Sequence, residues 1–474
     1  MTGIVMDPVQ EALDHGLRSL AGLGGDLVDH ANRIGATLFS PPRVVIVGRL
    51  KAGKSTLVNA LIGAPVAETA ALEATRLVAV YQDGAPSRAE AVAVDGTRHP
   101  ITLTRGQTAR MPIEEERIAY INRWLPSAAI RDLTLIDTPG LATLTTRNET
   151  ATRRVLIDGF EQTRTASVDA DAAVFLFDST PRADELAFLQ ELPLSPLNTL
   201  GVLSRADGFG EGALGSRDPI EQAAEHAGRV ATRLAHAVSA VVPISGLMAQ
   251  TSHTGALSEQ HARTLAALSA LDAEELVDEL DRDDDGVIDA RMRGELLDLL
   301  GEYGILHGRM IARDGAAALN QWLSQRSGVP MLHQLMQSSL SEFAILNRAR
   351  RVIAYVDQLA YNHPARDQIR MIVHQMRTHP AMLRVALLDD LQKLLAADPY
   401  SGVVEEIRTL LLAADPAECV GLPAGSSTQD VHLHANQRLS AAQTQALSTA
   451  TAAEDAALVD VARAYTALAT TGRL

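Results

Sequence analysis

Apolar residues in the first forty positions recur at three- and four-residue steps. Val9, Leu13, Leu17 and Leu20 share one helical face, and Asp7-Pro8 supplies an N-cap followed by proline at the first helical position. Gly22, Gly24 and Gly25 interrupt the pattern, which resumes through Leu27, Ala31 and Ile34. It then changes character. Residues 44–47 form a continuous apolar run, as in a strand covered on both faces. Short runs at 77–82, 89–94 and 100–103 read as strands around the turn dipeptides Asp83-Gly84 and Asp95-Gly96. Residues 114–124 read as a helix. Strands are expected at 133–136, 172–177, 200–203 and 240–243, with helices at 182–192 and 219–238. Alternation of this kind predicts a three-layer α/β domain with a mostly parallel sheet.

Beyond Thr251 the strand signals stop. Helices are expected at 257–271 and 291–300. Between Pro330 and Tyr361, Leu332, Met336, Leu340, Phe343, Leu346, Ile353, Val356 and Leu359 hold one face without a Gly or Pro. One helix of that length would be roughly 45 Å long. Further helices are expected at 368–377, 382–397, 403–414 and 441–468, with a loop at 421–427. The expected organisation is residues 1–39 as helices packing with a C-terminal bundle, 40–251 as the α/β domain, and 252–474 as an elongated all-α bundle.

Composition narrows the picture. Aromatics make up only 3% of the chain, so the helices must pack through aliphatic side chains. One cysteine, Cys419, excludes an intramolecular disulfide framework and suits a reducing cytosol. A net charge of −16 argues against general nucleic-acid binding. No run reaches the ~18 apolar residues of a membrane span, and residues 1–8 lack the pattern of a signal peptide. The expectation is a cytoplasmic protein that meets a membrane only peripherally.

The chemistry is concentrated after the first strand. Gly48-Arg49-Leu50-Lys51-Ala52-Gly53-Lys54-Ser55 is G-x-x-x-x-G-K-[ST], set between a strand and a helix that starts near Thr56. Loop and helix N–H groups in that setting point at phosphate oxygens. Lys54 brings a charge to the β/γ-phosphates and Ser55 a hydroxyl to Mg²⁺. Asp137-Thr138-Pro139-Gly140 ends a strand beside this loop. Asp137 can hold a water on Mg²⁺, and Gly140 can offer its N–H to a γ-phosphate. Thr75 is favoured over Thr69 as a further Mg²⁺ ligand. Ser204-Arg205-Ala206-Asp207 ends another strand. Asp207 can accept from guanine N1–H and N2–H₂, donors that adenine lacks, and Arg205 can cover the base. Ser245 and Gly246, in Val-Pro-Ile-Ser-Gly, fit a small-residue loop around guanine O6. The substrate read from this set is GTP, with Mg²⁺.

Together, G-R-L-K-A-G-K-S-T-L-V-N-A-L-I-G, E-A-T-R, D-T-P-G, S-R-A-D and V-P-I-S-G resemble the bacterial dynamin-like GTPases, and in particular their actinobacterial isoniazid-inducible, C-type branch. The resemblance implies GTP hydrolysis and a helical neck and stalk that includes the N-terminal pair. It also implies nucleotide-dependent self-association, a sister GTPase as a second candidate partner, and membrane remodelling at the inner face of the plasma membrane. A regulatory GTPase whose helical arm binds a protein partner, without lipid, is the alternative. The chain departs from the wider dynamin pattern at Leu50 and Lys51, where eukaryotic dynamins place Gln and Ser. Lys51 is then either a cis charge on the transition state, with Lys54 and Thr75 completing the catalytic set, or a solvated lysine at the loop edge.

Two other features are ambiguous. Asp281 to Asp289 resembles the first nine positions of an EF-hand loop, but its twelfth position is Met292, which cannot ligate calcium as a glutamate would. Arg348, Arg350 and Arg351 can meet phosphate head groups or pair with acids inside the bundle; the second is favoured. The 421–427 loop, read as a stalk tip, offers only Leu422 as an apolar wedge.

Overall fold

The computed structural model describes residues 7–49, 51–66, 77–102, 111–139 and 170–473. It separates into two compact units. One joins Met1–Ser40 to Glu342–Leu474; the other is Pro41–Ser341. The first unit opens with α1 (Pro8–Ala21) and α2 (Leu27–Leu38). The Asp7 carboxylate caps α1, accepting from the N–H of Val9 at 2.8 Å.

The second unit carries the sheet. Its elements begin with β1 (Arg43–Gly48), α3 (Lys54–Ile62), β2 (Ala79–Asp83), β3 (Arg88–Ala93), β4 (Arg98–Ile101), β5 (Ile118–Leu125), β6 (Thr134–Asp137) and β7 (Ala172–Phe177). They continue with α4 (Ala183–Glu191), β8 (Thr199–Ser204), α5 (Pro219–Arg233), β9 (Ala240–Ile244) and α6 (Gly246–His253). The nine strands lie in the order β4-β3-β5-β2-β6-β1-β7-β8-β9. From β6 to β9 all pairs are parallel. β2 runs antiparallel to β6, parallel to β5, and opens a mixed extension with β3 and β4. α4 and α5 cover one face through Phe188, Leu189, Ala223, Ala227 and Val230, over Val45, Val47 and Ile136. The alternate residue Leu135 faces the other side, beside Leu61 of α3 and Met336.

One strand was concealed as a helix. Ile118, Ile121 and Leu125 recur at three and four residues, but in β5 that spacing comes from a bulge. Ala91 pairs with Ile121 and Val92 with Tyr120, yet Ala93 pairs with Ile118. The skipped residue shifts the inward positions out of simple alternation.

Helices α7 (Glu259–Ala267), α8 (Ala273–Leu280), α9 (Ala290–Ile311), α10 (Ala316–Arg326) and α11 (Val329–Leu335) complete this unit. Strand signals end near Thr251 but the shared core does not: Leu265, Leu268, Leu296 and Leu300 cluster with Ala213 and Met248. The unit therefore closes at Ser341 rather than Thr251. α9 breaks at Gly301, whose φ of 63° and ψ of 176° are not helical. The acidic turn between α8 and α9 is organised by a guanidinium. Arg293, 3% exposed, donates to the carbonyls of Arg282, Asp284 and Ile288 and to the Glu279 carboxylate at 3.0 Å. Glu279 also accepts from the N–H groups of Val287 and Ile288.

The expected single helix from 330 to 361 is interrupted. A π-helical turn at Met336–Leu340 separates α11 from α12 (Ser341–Leu359). Serine hydroxyls compete for the backbone there: Ser341 Oγ donates to the Met336 carbonyl at 2.7 Å. The first unit continues with α13 (Arg366–Thr378), α14 (Leu383–Ala397), α15 (Gly402–Leu412), α16 (Pro416–Cys419), α17 (Thr428–Gln445) and α18 (Ala452–Thr471). The expected last helix is thus two. Thr451 starts α18 by accepting from the Glu454 N–H at 3.1 Å, a cap hidden by the alanine-rich sequence around it.

Arg348 and Arg350 are bound inside this bundle unit. Arg348, 3% exposed, donates to the carbonyls of Leu38 and Ser40, and Arg350 pairs with Asp389 at 3.5 Å. Among the described residues no helix is long and apolar enough to cross a membrane.

Candidate functional site

The phosphate-loop residues follow β1 directly. Val44 to Val47 are buried on both faces, so the strand end is fixed and the chain must turn sharply out of the sheet. Gly48 makes this possible, because a Cβ there would lie 2.6 Å from the Leu176 carbonyl oxygen of β7. Gly53 takes φ 93° and starts α3. The uncommitted N–H groups of the first turn of α3 therefore meet the loop at one place. Lys54 is 7% exposed, and its ammonium donates to the carbonyls of Gly48 at 3.0 Å and Arg49 at 2.9 Å.

A cavity of about 630 Å³ opens at the carboxyl ends of the strands. It brings together Lys51, Ala52, Gly53, Lys54, Ser55 and Thr56 with Asp137, Ser204, Arg205, Asp207 and Gly246. Thr138 Oγ1 donates to the Ile46 carbonyl at 2.7 Å and fixes the end of β6 beside β1. Ser204 Oγ donates to the Phe177 carbonyl and does the same for β8. Gly48 and Arg49 stand behind Lys54 as its acceptors. Ser245 is directed elsewhere: fully buried, it caps α6 by accepting from the Met248 N–H, and its own N–H donates to the Ser327 carbonyl at 2.9 Å. Gly246 lies against Thr56. Leu50, Thr75 and Gly140 lie outside the described residues.

Lys51 and Arg205 are the two non-glycine residues with positive φ among the described residues, at 63° and 56°. They are also bonded to each other, Arg205 Nη2 donating to the Lys51 carbonyl at 3.0 Å. The phosphate loop and the Asp207 turn are thereby held together at the two places where the backbone is strained.

The electrostatics favour an anion beside a cation. Burial pulls the Lys54 ammonium down to about 8, against the charge of Asp137. Burial pushes the Asp137 carboxyl up to about 6, against Lys54 and the Thr138 N–H. Asp137 Oδ1 is buried and has no hydrogen-bonding partner among the described residues. An acceptor in that state, lining the same cavity as Ser55, fits a hydrated Mg²⁺. A cation needs Asp137 ionised, and a phosphate needs Lys54 protonated. Mg²⁺-dependent nucleotide affinity is therefore expected to peak between about pH 6 and pH 8, falling as Asp137 protonates below and as Lys54 deprotonates above. Titrating a fluorescent GDP analogue across pH checks this; a flat profile from pH 5 to 9 would contradict it.

The Dynamin family matches residues 44–205. Isoniazid-induced protein IniC of Mycobacterium tuberculosis, from strains CDC 1551 and H37Rv, is 31% identical over 407 residues, which cover 82% of this chain and 77% of IniC. The chain belongs to the IniC branch of the bacterial dynamin-like GTPases. Isoniazid-induced protein IniA of the same organism is 34% identical over 148 residues, covering 29% of this chain and 23% of IniA. A solved bacterial dynamin pair, oligomerised and described as a mechanism for the long range sensing and tethering of membranes, aligns over 100% of this chain and 88% of its own at 12% identity, with a TM-score of 0.34.

For this dynamin-like GTPase, sequence motifs located the loop and the strand-end acids but not Tyr81 or Leu247. Tyr81 reaches the cavity because β2 is antiparallel to β6, a pairing that no local motif encodes. Leu247 was legible only as the residue after Ser245-Gly246.

Proposed function

We propose that this chain binds GTP with Mg²⁺, hydrolyses it to GDP and phosphate, and uses the cycle to drive head–stalk movement and assembly at a membrane. The observation that carries the reading is the single cavity in which Lys54, Asp137 and Asp207 converge from three strand ends in the expected order. In this reading Lys54 and the N–H groups of Gly53 to Thr56 hold the phosphates. Ser55, Asp137 and Thr75 hold Mg²⁺, which would neutralise charge on the β- and γ-phosphate oxygens. Asp207 reads the guanine edge, Arg205 covers the base, and Gly246 lets the backbone approach O6. Gly140 senses the γ-phosphate. Lys51, exposed at the loop edge, supplies a second positive charge as the bridging bond breaks.

No glutamine closely follows Gly140, so turnover by one copy is slow and pairing with a second copy, or with a sister GTPase, accelerates it. GTP turnover per molecule is expected to rise with protein concentration, and Lys51→Ala to lower kcat by ~10–100-fold with nucleotide affinity kept. A rate independent of concentration would remove the assembly step. Nucleotide binding without turnover would remove hydrolysis.

The bundle unit supports the membrane part. Arg384 at the start of α14 pairs with Glu342, and Asp389 with Arg350, so α14 runs parallel to α12. α18 returns beside α14, with Glu454 accepting from Ser401 at 3.2 Å. The turns carrying Tyr361, Tyr400 and Leu447 therefore gather at the end remote from Glu342. These residues are 79%, 95% and 86% exposed. The 421–427 loop, expected from sequence to be the tip, lies at the opposite end of α17. Two tyrosines and a leucine suit the interface of a bilayer. The full chain is expected to pellet with anionic liposomes, and Tyr400→Ser with Leu447→Ser to weaken this ~10-fold or more. Failure to pellet in every nucleotide state would transfer this surface to a protein partner and favour a regulatory GTPase.

A further inference from the structure

Tyr81 is a buried tyrosine of the sheet. It is 1% exposed in the middle of β2, yet it lines the nucleotide cavity. Two strand registers define its neighbours. Ala79 lies opposite Asp137 in the antiparallel β2–β6 pair, so Tyr81, two residues on, shares a sheet face with that carboxylate. In the parallel β2–β5 pair Tyr81 lies directly opposite Arg123. The Arg123 guanidinium stands 5.8 Å from the centre of the Tyr81 ring.

Arg123 also has a second task. Its Nη1 donates to the Val66 carbonyl at 2.7 Å. The N–H of the same residue donates to Asn59 Oδ1 at 2.9 Å, and Asn59 is fully buried in α3, the helix that begins at Lys54. The peptide groups flanking Val66 are thus gripped on both sides, from the phosphate-loop helix and from the sheet extension.

We propose that Tyr81 and Arg123 are positioning residues for the Mg²⁺ side of the nucleotide site, joining the face of Asp137 to the chain at Val66. The pair contributes a neutral hydroxyl on the same sheet face as Asp137, whose Oδ1 has no donor among the described residues, and a fixed positive charge one strand further out. Its location gives the mixed extension of the sheet a role in the chemistry: β5 carries the arginine that orients the tyrosine. The proposal rests on the GTPase reading above.

The test uses the full chain with GDP, GTP and Mg²⁺. Tyr81→Phe keeps the ring and removes only the hydroxyl. It is expected to raise the Mg²⁺ concentration needed for half-maximal retention of a fluorescent GDP analogue about 3–10-fold, and to lower kcat ~10-fold with KM changed less than about twofold. Arg123→Met should do the same, Arg123→Lys should recover part of the loss, and the double variant should cost no more than either single one. Unchanged Mg²⁺ midpoints and kcat in Tyr81→Phe and Arg123→Met, or simple additivity in the double variant, would overturn the proposal. If the wild-type chain shows no turnover, the GTPase reading fails, and the Mg²⁺ midpoints alone still decide for or against the pair.

Discussion

Asp207→Asn is expected to lower affinity for guanine nucleotides by ~10²–10³-fold and to create affinity for xanthine nucleotides. In the proposed reading the carboxylate of Asp207 offers two acceptors to the N1–H and N2–H₂ donors of guanine. Asparagine keeps one acceptor and presents an amide donor in place of the other. That donor faces N2–H₂ of guanine unfavourably but matches the O2 carbonyl of xanthine. The mismatch is costly because a donor facing a donor in the half-buried cavity leaves both without an acceptor there. The backbone should tolerate the change: Asp207 sits in a one-turn 3₁₀ segment, Ala206–Gly208, anchored by buried Ala206 and preceded by left-handed Arg205. Competition between GTP, XTP and ATP for the fluorescent analogue measures the switch. A variant that still prefers guanine would place base recognition elsewhere.

Arg293→Met is expected to destabilise the sheet-bearing unit by ~3–5 kcal/mol. Three backbone carbonyls and the Glu279 carboxylate would lose their shared donor at once, in a turn where Glu279 and Arg293 are 5% and 3% exposed. Removing both charges with Glu279→Leu and Arg293→Met should recover much of the loss, since the uncompensated carboxylate disappears. The pH dependence has a definite sign. Burial pushes the Glu279 carboxyl up, but the Val287 and Ile288 N–H groups and Arg293 outweigh it and hold it below the ordinary glutamate value of 4.5. Its contribution is then present above pH 4.5 and fades as pH falls through the lowered value. Denaturant unfolding of wild type, single and double variants near neutral pH checks the ledger. A cost under ~1 kcal/mol for Arg293→Met would mean the turn is held by something else.

The parts of this fold written in local chemistry were legible in the sequence. The buried strand before Gly48, the acid ending β6, the Asp7 cap of α1 and the Asp95-Gly96 turn between β3 and β4 each depend on a few adjacent residues, whereas Asp83-Gly84 joins no hairpin because β5 lies between β2 and β3. The failures arose where spacing was reset by tertiary structure. The bulge opposite Val92 gave β5 a helical rhythm, and the serines around Met336–Leu340 introduced a wide turn where periodicity predicted none. The same limit applies to the site. Lys54 and Asp137 announce themselves through motifs, whereas Tyr81 and Arg123 meet only through strand register. Nor does a stop in strand signals mark a boundary, because the helices after Thr251 share leucines with the sheet-bearing unit.

The division of the chain has a consequence for synthesis. The bundle unit takes its first two helices from Met1–Ser40 and the rest from Glu342–Leu474. About 300 residues are therefore made between the two parts, an interval of ~15–60 s at ordinary elongation rates. Throughout it Leu13, Leu17 and Leu20 have no bundle to bury them, though each is at most 4% exposed in the finished chain. The sheet-bearing unit, continuous in sequence, can fold first, so the nascent N-terminal hairpin is the segment a ribosome-bound chaperone would meet for longest.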